Sequence, residues 1–305
     1  MVQILLVGLG AGAAAALLFA AAVPSSLGAV FLFLLAPLPI LIAALGWSHL
    51  AGLIAAGTAV AVVTILSGAF FFAVPVIAFG AWWLGYLALL ARPSPDGAAE
   101  HLEWYPIGRI VLWAAVIGTL VVVAAVLNFS TDRQTLEATL RKSYERILGD
   151  QSVIDLLVAA VPPAAAVFST VTNLINLWLA ARIVSISGRL KRPWPDLAGW
   201  ALPRALSSGL LAAAFAGTIL PGLIGVFSGA FAASLLVAFA ILGFAVLHAI
   251  TRGLSSRGMV LAGTYAITFV IGWPVLLMSM LGLVETMFDI RGRIARKRGP
   301  PNLPA

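Results

Sequence analysis

The sequence predicts an all-α, polytopic transmembrane helical bundle with eight to nine membrane segments, and three observations lead to this fold class. Of the 305 residues, 62% are hydrophobic and only 10% are charged. The mean hydropathy is +1.09, whereas soluble domains carry about 25% charged residues, so this chain suits a surface that faces lipid. The apolar residues also form long runs, each near the roughly 20 residues that a membrane-spanning helix needs.

Nine apolar runs are candidate spans, and together they define one membrane domain over residues 1–290. The first run is either a retained span or a signal peptide, because Ala20 and Ala22 form a small-x-small cleavage pattern. Its length, and the lack of a preceding Lys or Arg, favour a span. The runs cover residues 4–23, 28–46, 49–66, 69–91, 107–127, 163–186, 204–221, 225–250 and 259–284.

The second run contains a candidate helix break at Pro37 and Pro39. Each proline removes one backbone donor and clashes with the preceding turn, so this span is expected to be kinked or broken near its middle. A full break is tolerated in a membrane where the freed backbone faces protein or a water-filled cavity. The sequence leaves the choice between kink and break open.

Two polar segments are expected to lie outside the spans. Residues 131–150 have the pattern of an amphipathic helix on a membrane face, capped by Thr131 or Asp132 and carrying a favourable Glu137–Arg141 pair. The pair Pro162–Pro163 is expected to mark the entry to the next span. The basic tail, residues 291–305, is predicted to be disordered and cytoplasmic.

The net charge of +7 is interpreted as topology-setting and headgroup-binding charge, with the lipid bilayer as partner and no nucleic acid. Nine full crossings would place nine Lys and Arg residues on each side. Removing one crossing after residue 203 changes the division to 12 and 6. Eight crossings with both termini in the cytoplasm are therefore predicted, with 204–221 as the segment that does not cross.

The sequence indicates neither an enzyme nor a cofactor or metal site. It has no cysteine, only three scattered histidines and no phosphate-binding glycine loop. Ionisable residues inside the candidate spans, which would point to proton or ion pathways, are nearly absent.

Two patterns inside the spans are candidates for function. Small residues recur at four-residue spacing, as in Gly8/Gly12, Gly52/Ala56 and Gly225/Gly229/Ala233, and they suit either internal packing or a docking face for a membrane protein partner. One face of the run 163–186 is polar, and its amides need partners in hydrocarbon. These side chains form interhelical hydrogen bonds or line a substrate cavity: Ser169, Thr172, Asn173 and Asn176.

The order of several short motifs resembles the YybS-like group of bacterial membrane proteins. The motifs are Ala36-Pro37-Leu38-Pro39-Ile40 with Leu45-Gly46-Trp47, then Asn173 and Asn176, Trp194-Pro195-Asp196 with Leu202-Pro203, and Leu281-Gly282-Leu283-Val284-Glu285 with Phe288-Asp289-Ile290-Arg291. That group is distantly similar to the substrate-binding S components of energy-coupling-factor vitamin transporters. The resemblance implies a multi-pass protein of the bacterial inner membrane and supplies no catalytic residue.

Two functions are compatible with these features. The first is a substrate-binding or permease-like transport component, suggested by the proline-interrupted span and the polar face. The second is a non-transporting scaffold or assembly factor for an envelope or division complex, suggested by the amphipathic segment and the basic tail. An occupied cavity at Asn173 and Asn176 would favour transport, and a tightly packed bundle would favour the scaffold.

Overall fold

The computed structural model describes residues 1–21, 27–68, 72–93, 102–129, 132–196 and 199–298. Within these ranges the chain is helical apart from one short antiparallel hairpin, which confirms the all-α class. The strands are β1 (Ala91–Pro93) and β2 (Leu102–Trp104). The helices are α1 (Val2–Ala20), α2 (Leu27–Leu34), α3 (Pro37–Gly46), α4 (His49–Ser67), α5 (Ala73–Leu89), α6 (Ile107–Phe129), α7 (Arg133–Glu145), α8 (Gln151–Ile186), α9 (Ala205–Ile219), α10 (Gly222–Ile250), α11 (Arg257–Ile271), α12 (Val275–Phe288) and α13 (Ile290–Arg298).

Six apolar helical segments in the described ranges are long enough to cross a membrane, so the chain is a multi-pass membrane protein by length and composition. They are α1, α2 with α3, α4, α6, α8 and α10. Helices α5, α9, α11 and α12 are apolar but have only 14–17 residues. At 1.5 Å per residue these four extend about 20–25 Å, less than the roughly 30 Å hydrocarbon core.

The interruption expected near Pro37 and Pro39 separates α2 from α3 at residues 35–36. Pro37 is the first residue of α3, a position where its missing N–H costs no helical hydrogen bond. The tighter bonds from Ala36 N to Phe33 O (3.1 Å) and from Leu38 N to Leu35 O (2.9 Å) replace the regular pattern. Ala36 keeps right-handed helical dihedrals, so the regular helical hydrogen bonding is interrupted for one turn inside the single apolar segment Leu27–Gly46.

Helices α7 and α8 differ from the expectation in two ways. The Asp132 carboxylate caps α7 by accepting from Thr135 N at 2.8 Å, but Glu137 pairs with Arg133 (2.6 Å), not with Arg141. Arg141 instead pairs with Asp155, because α8 begins next to α7. Capping holds the pKa of the Asp132 carboxyl below its usual range.

The prolines at 162 and 163 lie inside α8 and do not mark its start. The helix begins twelve residues before Pro163, at Gln151, and it continues through both prolines. Buried packing on each side, by Ile154 and Val158 before the pair and Ala166 after it, holds the two helical halves in line.

The C-terminal segments also differ from the expectation. The predicted single span 259–284 is two helices, α11 and α12, separated where Gly272 adopts φ +79° and Pro274 follows. The first part of the tail, predicted to be disordered, forms helix α13, because the side chain of Arg291 is held by Glu285 and by the carbonyl of Trp200. Residues 299–305 lie outside the described part.

Several connections meet at one end of the bundle, which we call the arginine end. Trp82 Nε1 donates to His49 O (2.9 Å), Arg252 pairs with Asp196 (3.2 Å), and Arg291 Nη2 donates to Trp200 O (2.8 Å). Helix α1 runs parallel to α4, since Gly8 and Gly12 contact Ile54 and Thr58 in turn, so Met1 lies at this end too. The opposite end, which we call the α7 end, holds Asn128 bonded to Phe72 N.

Helices α9 and α10 connect both ends, whereas α11 and α12 return to the end from which they start. Gly217 of α9 contacts Gly229 of α10, and α10 begins next to α7 through packing of Leu223 near Leu136. Helix α9 has only 15 residues, so the prediction that 204–221 does not cross stays a prediction. Tyr265 of α11 meets His248, and Ser279 of α12 donates to Leu236 O (2.8 Å), fourteen residues before α10 ends at Ile250.

The small-residue repeats are used for packing within the chain. An ideal Cβ on Gly12 would lie 2.6 Å from Ala55 O, and one on Gly52 would lie 2.5 Å from Ala44 Cβ. Gly225 similarly approaches Leu220 O at 2.2 Å. Gly12, Gly52 and Gly225 are therefore used for packing within the chain, whereas no heavy atom lies within 4 Å of a Cβ at Gly229.

Candidate functional site

The polar face predicted on 163–186 is only partly the buried stripe of α8. Asn173 and Asn176 are buried, 4% and 1% exposed, but Ser169 and Thr172 are half-buried. The buried hydroxyl of this stripe belongs to Thr170, which was left out of the predicted face. Thr170, Asn173 and Asn176 are the buried positions because α8 contacts α3 on one side and α10 on the other.

Asn176 joins the predicted polar face to the predicted helix break. Its Nδ2 donates to Leu34 O at 2.8 Å and to Thr172 O at 2.9 Å. Leu34 O lies at the end of α2, and Leu38 N, which would bond to it in a continuous helix, donates to Leu35 O instead. The side-chain amide thus satisfies a backbone carbonyl that the break releases inside the bundle.

A second polar contact joins three helices, about 9 Å along α8 from Asn176. Ser234 Oγ of α10 lies 3.3 Å from Thr119 Oγ1 of α6 and 3.2 Å from Thr170 Oγ1 of α8. Gly118 allows this approach, because a Cβ there would lie 2.3 Å from Thr170 Oγ1. Thr119 and Ser234 are isolated hydroxyls in apolar runs, so no local pattern distinguished them in the sequence.

Asn173 and Asn176 together form what we call the Asn stripe of α8. Two of their side-chain atoms have no hydrogen-bond partner among the described residues: Asn173 Nδ2 and Asn176 Oδ1. One is a donor and the other is an acceptor, and their residues lie three positions apart on one helix face. The two asparagines therefore differ, since Asn176 satisfies the backbone and Asn173 does not.

This difference predicts unequal effects of two matched substitutions. Asn176→Leu leaves Leu34 O unpaired and is expected to destabilise the protein by about 1–3 kcal/mol. Asn173→Leu removes an amide whose Nδ2 is already unpartnered, so it is expected to be neutral or stabilising. The measurement is the thermal unfolding midpoint of each purified variant in detergent. Equal destabilisation by the two variants would contradict this assignment.

One apolar cavity in the described part lies apart from Asn173 and Asn176. It measures about 260 Å³ and lies at the arginine end, where α6, α8 and α10 meet residues 190–195 and Trp200. Its wall is apolar except for Arg192. The lining residues are Leu45, Ala88, Ile107, Ile110, Val111, Leu174, Leu177, Trp178, Ala181, Leu190, Arg192, Pro193, Trp194, Pro195, Trp200 and Ile241.

Arg192 is the charged group of this cavity. Its Nη1 donates to Ala88 O (3.1 Å), and its Nη2 donates to Tyr105 O (3.0 Å). The guanidinium also lies 6.0 Å from the ring centre of Trp104. Burial lowers the pKa of the Arg192 guanidinium from its ordinary value, but an arginine stays protonated in proteins. The cavity thus combines an apolar wall with one permanent positive charge.

Sequence reasoning missed this cavity, although its signal was present. The motif Trp194-Pro195-Asp196 was noted in the sequence only as part of a family resemblance. Trp200 is 8% exposed and packs against the bundle. Trp178, Arg192, Trp194 and Trp200 lie within about 25 residues of one another, around the end of α8. Such a group of three tryptophans and one arginine is also typical of a ligand site at a membrane interface.

Within the described residues, no group of three or more His, Asp or Glu side chains is placed to hold a metal ion. The candidate site is therefore characterised by apolar surface, aromatic rings and a guanidinium.

Comparison with known proteins adds no assignment. Neither a protein-family model, nor a curated protein, nor a solved structure matches this chain. The roles of the cavity and of the Asn stripe are therefore inferred from the side chains that form them.

Proposed function

We propose that the chain crosses the bacterial inner membrane eight times, with both termini in the cytoplasm. The crossings are α1, α2 with α3, α4, α5, α6, α8, α9 and α10, and the α11–α12 hairpin enters and leaves at the arginine end. The short helices α5 and α9 complete their crossings with the adjoining extended residues. This arrangement keeps the predicted number of crossings but assigns the turn to α11 and α12.

The distribution of charge supports this topology. Of the 18 Lys and Arg residues, only Arg133, Arg141, Lys142 and Arg146 lie at the α7 end, and the other fourteen lie at the arginine end. Positive residues concentrate on the cytoplasmic side of membrane proteins, so the arginine end is assigned to the cytoplasm. The excess is larger than the 12 to 6 expected from the sequence, because the hairpin keeps Arg252, Arg257 and the tail on one side.

Reporter fusions test the proposed topology. A reporter fused after Ala305 is expected to be active only if it functions in the cytoplasm. One inserted after Gly149, between α7 and α8, is expected to be active only if it functions in the periplasm. Periplasmic activity of the fusion at Ala305 would show that α11 and α12 complete a crossing.

We further propose that the protein is a substrate-binding or permease-like transport component for an apolar or amphipathic small molecule. The cavity of about 260 Å³ beside Arg192 is the observation that supports this function. The interrupted span α2–α3 also supports it, because discontinuous helices near the midplane are common in transporters. The resemblance to the YybS-like group, and through it to S components, agrees with this proposal.

The scaffold function remains the second candidate, and helix α11 favours it. None of the residues of α11, all of which are described, is buried, and Phe269 and Val270 are 92% and 81% exposed. Such a face suits lipid, but it would equally suit an apolar helix of a partner. A scaffold would use this face and leave the cavity without a ligand.

Photolabelling tests the transport proposal. The probe is a dodecanol that carries a diazirine on its chain, added to the full-length protein in phosphatidylcholine nanodiscs. Label is expected on peptides that contain residues 174–181 and 190–196. Leu177→Trp, which fills the cavity, is expected to reduce it several-fold. Leu211→Trp is the control, because Leu211 is 68% exposed on α9. Labelling that is insensitive to Leu177→Trp would count against a cavity ligand.

A further inference from the structure

Arg192 is a half-buried cation without an anion beside it. Among the described residues, the ion pairs join other groups, and no carboxylate oxygen lies within 4.0 Å of this guanidinium. Its two hydrogen-bond acceptors are neutral backbone carbonyls. A guanidinium has five N–H groups, so it retains donors for a further acceptor. A buried charge is costly unless it is paired, which makes an anion the favourable partner.

The apolar part of the cavity opens beside exposed aromatic rings. Trp178 and Trp194 both line it, and they are 50% and 42% exposed. Arg182 lies 5.6 Å from the ring centre of Trp194, and it forms no ion pair within the described part. Tryptophan belongs at the depth of lipid headgroups, so a molecule can enter this cavity from the membrane with its polar end near Arg192.

We propose that the cavity binds a single-chain amphiphile with a phosphate headgroup, its alkyl or prenyl chain against the apolar wall and its phosphate on Arg192. The inference rests on the proposed function and names its substrate class. Arginine suits phosphate because its planar donors bind two oxygens at once. The cavity lies at the lower limit of common ligand sites, about 300–1,000 Å³, which favours one chain over the two of a phospholipid.

The test compares three amphiphiles that share one chain: dodecyl phosphate, dodecanol and dodecyltrimethylammonium. Binding to the full-length protein in phosphatidylcholine nanodiscs is measured by displacement of the diazirine probe. Dodecyl phosphate is expected to bind about tenfold more tightly than dodecanol, the effect of a charge-assisted hydrogen bond, and the ammonium more weakly than either. Equal affinities of phosphate and alcohol would overturn the inference.

Four variants assign the effect to the residue. Arg192→Gln should remove the preference for phosphate without changing dodecanol affinity, and Arg192→Lys should keep part of it. Lys191→Gln removes the same charge from an exposed neighbour outside the cavity and should have no effect. Leu177→Trp should weaken both the alcohol and the phosphate. A preference that survives Arg192→Gln, or disappears in Lys191→Gln, contradicts the inference. Monodisperse elution of each variant in detergent checks folding.

The outcomes separate the inference from the proposed function. If dodecanol competes at the cavity but phosphate gives no advantage, the headgroup inference fails and the cavity function stands. If neither amphiphile displaces the probe, the proposed function fails as well. Adding phosphatidylglycerol to the nanodisc should not displace dodecyl phosphate. Displacement would instead identify a phospholipid site and overturn the single-chain ligand.

Discussion

Replacing Gly282 by alanine is expected to lower the thermal unfolding midpoint of the detergent-solubilised protein by an amount on the order of 10 °C. A Cβ on Gly282 would lie 1.9 Å from Phe239 O and 3.0 Å from Gly243 N. Both atoms belong to the backbone of α10, so no side chain can move aside. The substitution must therefore push α12 away from α10 along their common contact. Circular dichroism or intrinsic fluorescence during heating gives the midpoint.

The matched control is Gly263→Ala on the neighbouring helix α11. No heavy atom lies within 4 Å of a Cβ at Gly263, and alanine is the better helix former, so no loss of stability is expected. A fall of similar size in both variants would show that the α10–α12 contact is not the cause.

Glu285→Gln is expected to destabilise the protein by about 3–5 kcal/mol, because it leaves a charge without its partner in a nearly buried site. Glu285 and Arg291 have side chains that are 5% and 15% exposed, and Nε lies 2.7 Å from Oε1. Glu285 also accepts from Arg291 N at 3.1 Å, and Arg291 Nη2 donates to Trp200 O. One carboxylate thus joins α12, α13 and the segment before α9.

Two comparisons separate loss of this pair from loss of any carboxylate. Glu103→Gln breaks the exposed pair with Arg92, in which Nε and Oε2 are 2.8 Å apart, and should leave the unfolding midpoint nearly unchanged. The double variant Glu285→Met with Arg291→Met removes both charges together and should recover much of the stability that Glu285→Gln loses. No recovery in the double variant would indicate that the bonds to the backbone matter more than the charges.

The α11–α12 hairpin contributes to both the positive charge and the helix packing of the arginine end. It keeps the last two basic segments on one side of the bundle and places α12 against α10 through Gly243 and Gly282. The Glu285–Arg291 pair then fixes α13 beside Trp200, which lines the cavity. Stability of the hairpin and shape of the candidate site are thereby linked, so Glu285→Gln is also expected to alter labelling of the cavity.

Several features were predictable from the sequence because their causes are local. Apolar runs of about 20 residues specify helices for a membrane, since every backbone group must then be bonded within its own segment. Pro37 cannot donate a helical hydrogen bond, so a break near it follows from covalent structure. Asp132 caps α7 through a residue only three positions away. The predicted Glu137–Arg141 pair shows the limit, because Asp155 of the next helix is the partner of Arg141.

The tertiary structure decided which of these local features meet. Asn176 bonds to Leu34 across 142 residues of sequence, and Arg192 bonds to Ala88 across 104. The periodicity of one helix does not show which distant residues it contacts. The polar face was therefore predicted to include Ser169 and Thr172, whereas the buried hydroxyl belongs to Thr170. The direction of α12 likewise depends on its glycine contact with α10. The sequence by itself determined most of the apolar helical segments, because these depend on neighbouring residues, but it did not determine the start of α8, the division between α11 and α12, or α13. The cavity and the hairpin depend on contacts between distant segments, and only packing brings those segments together.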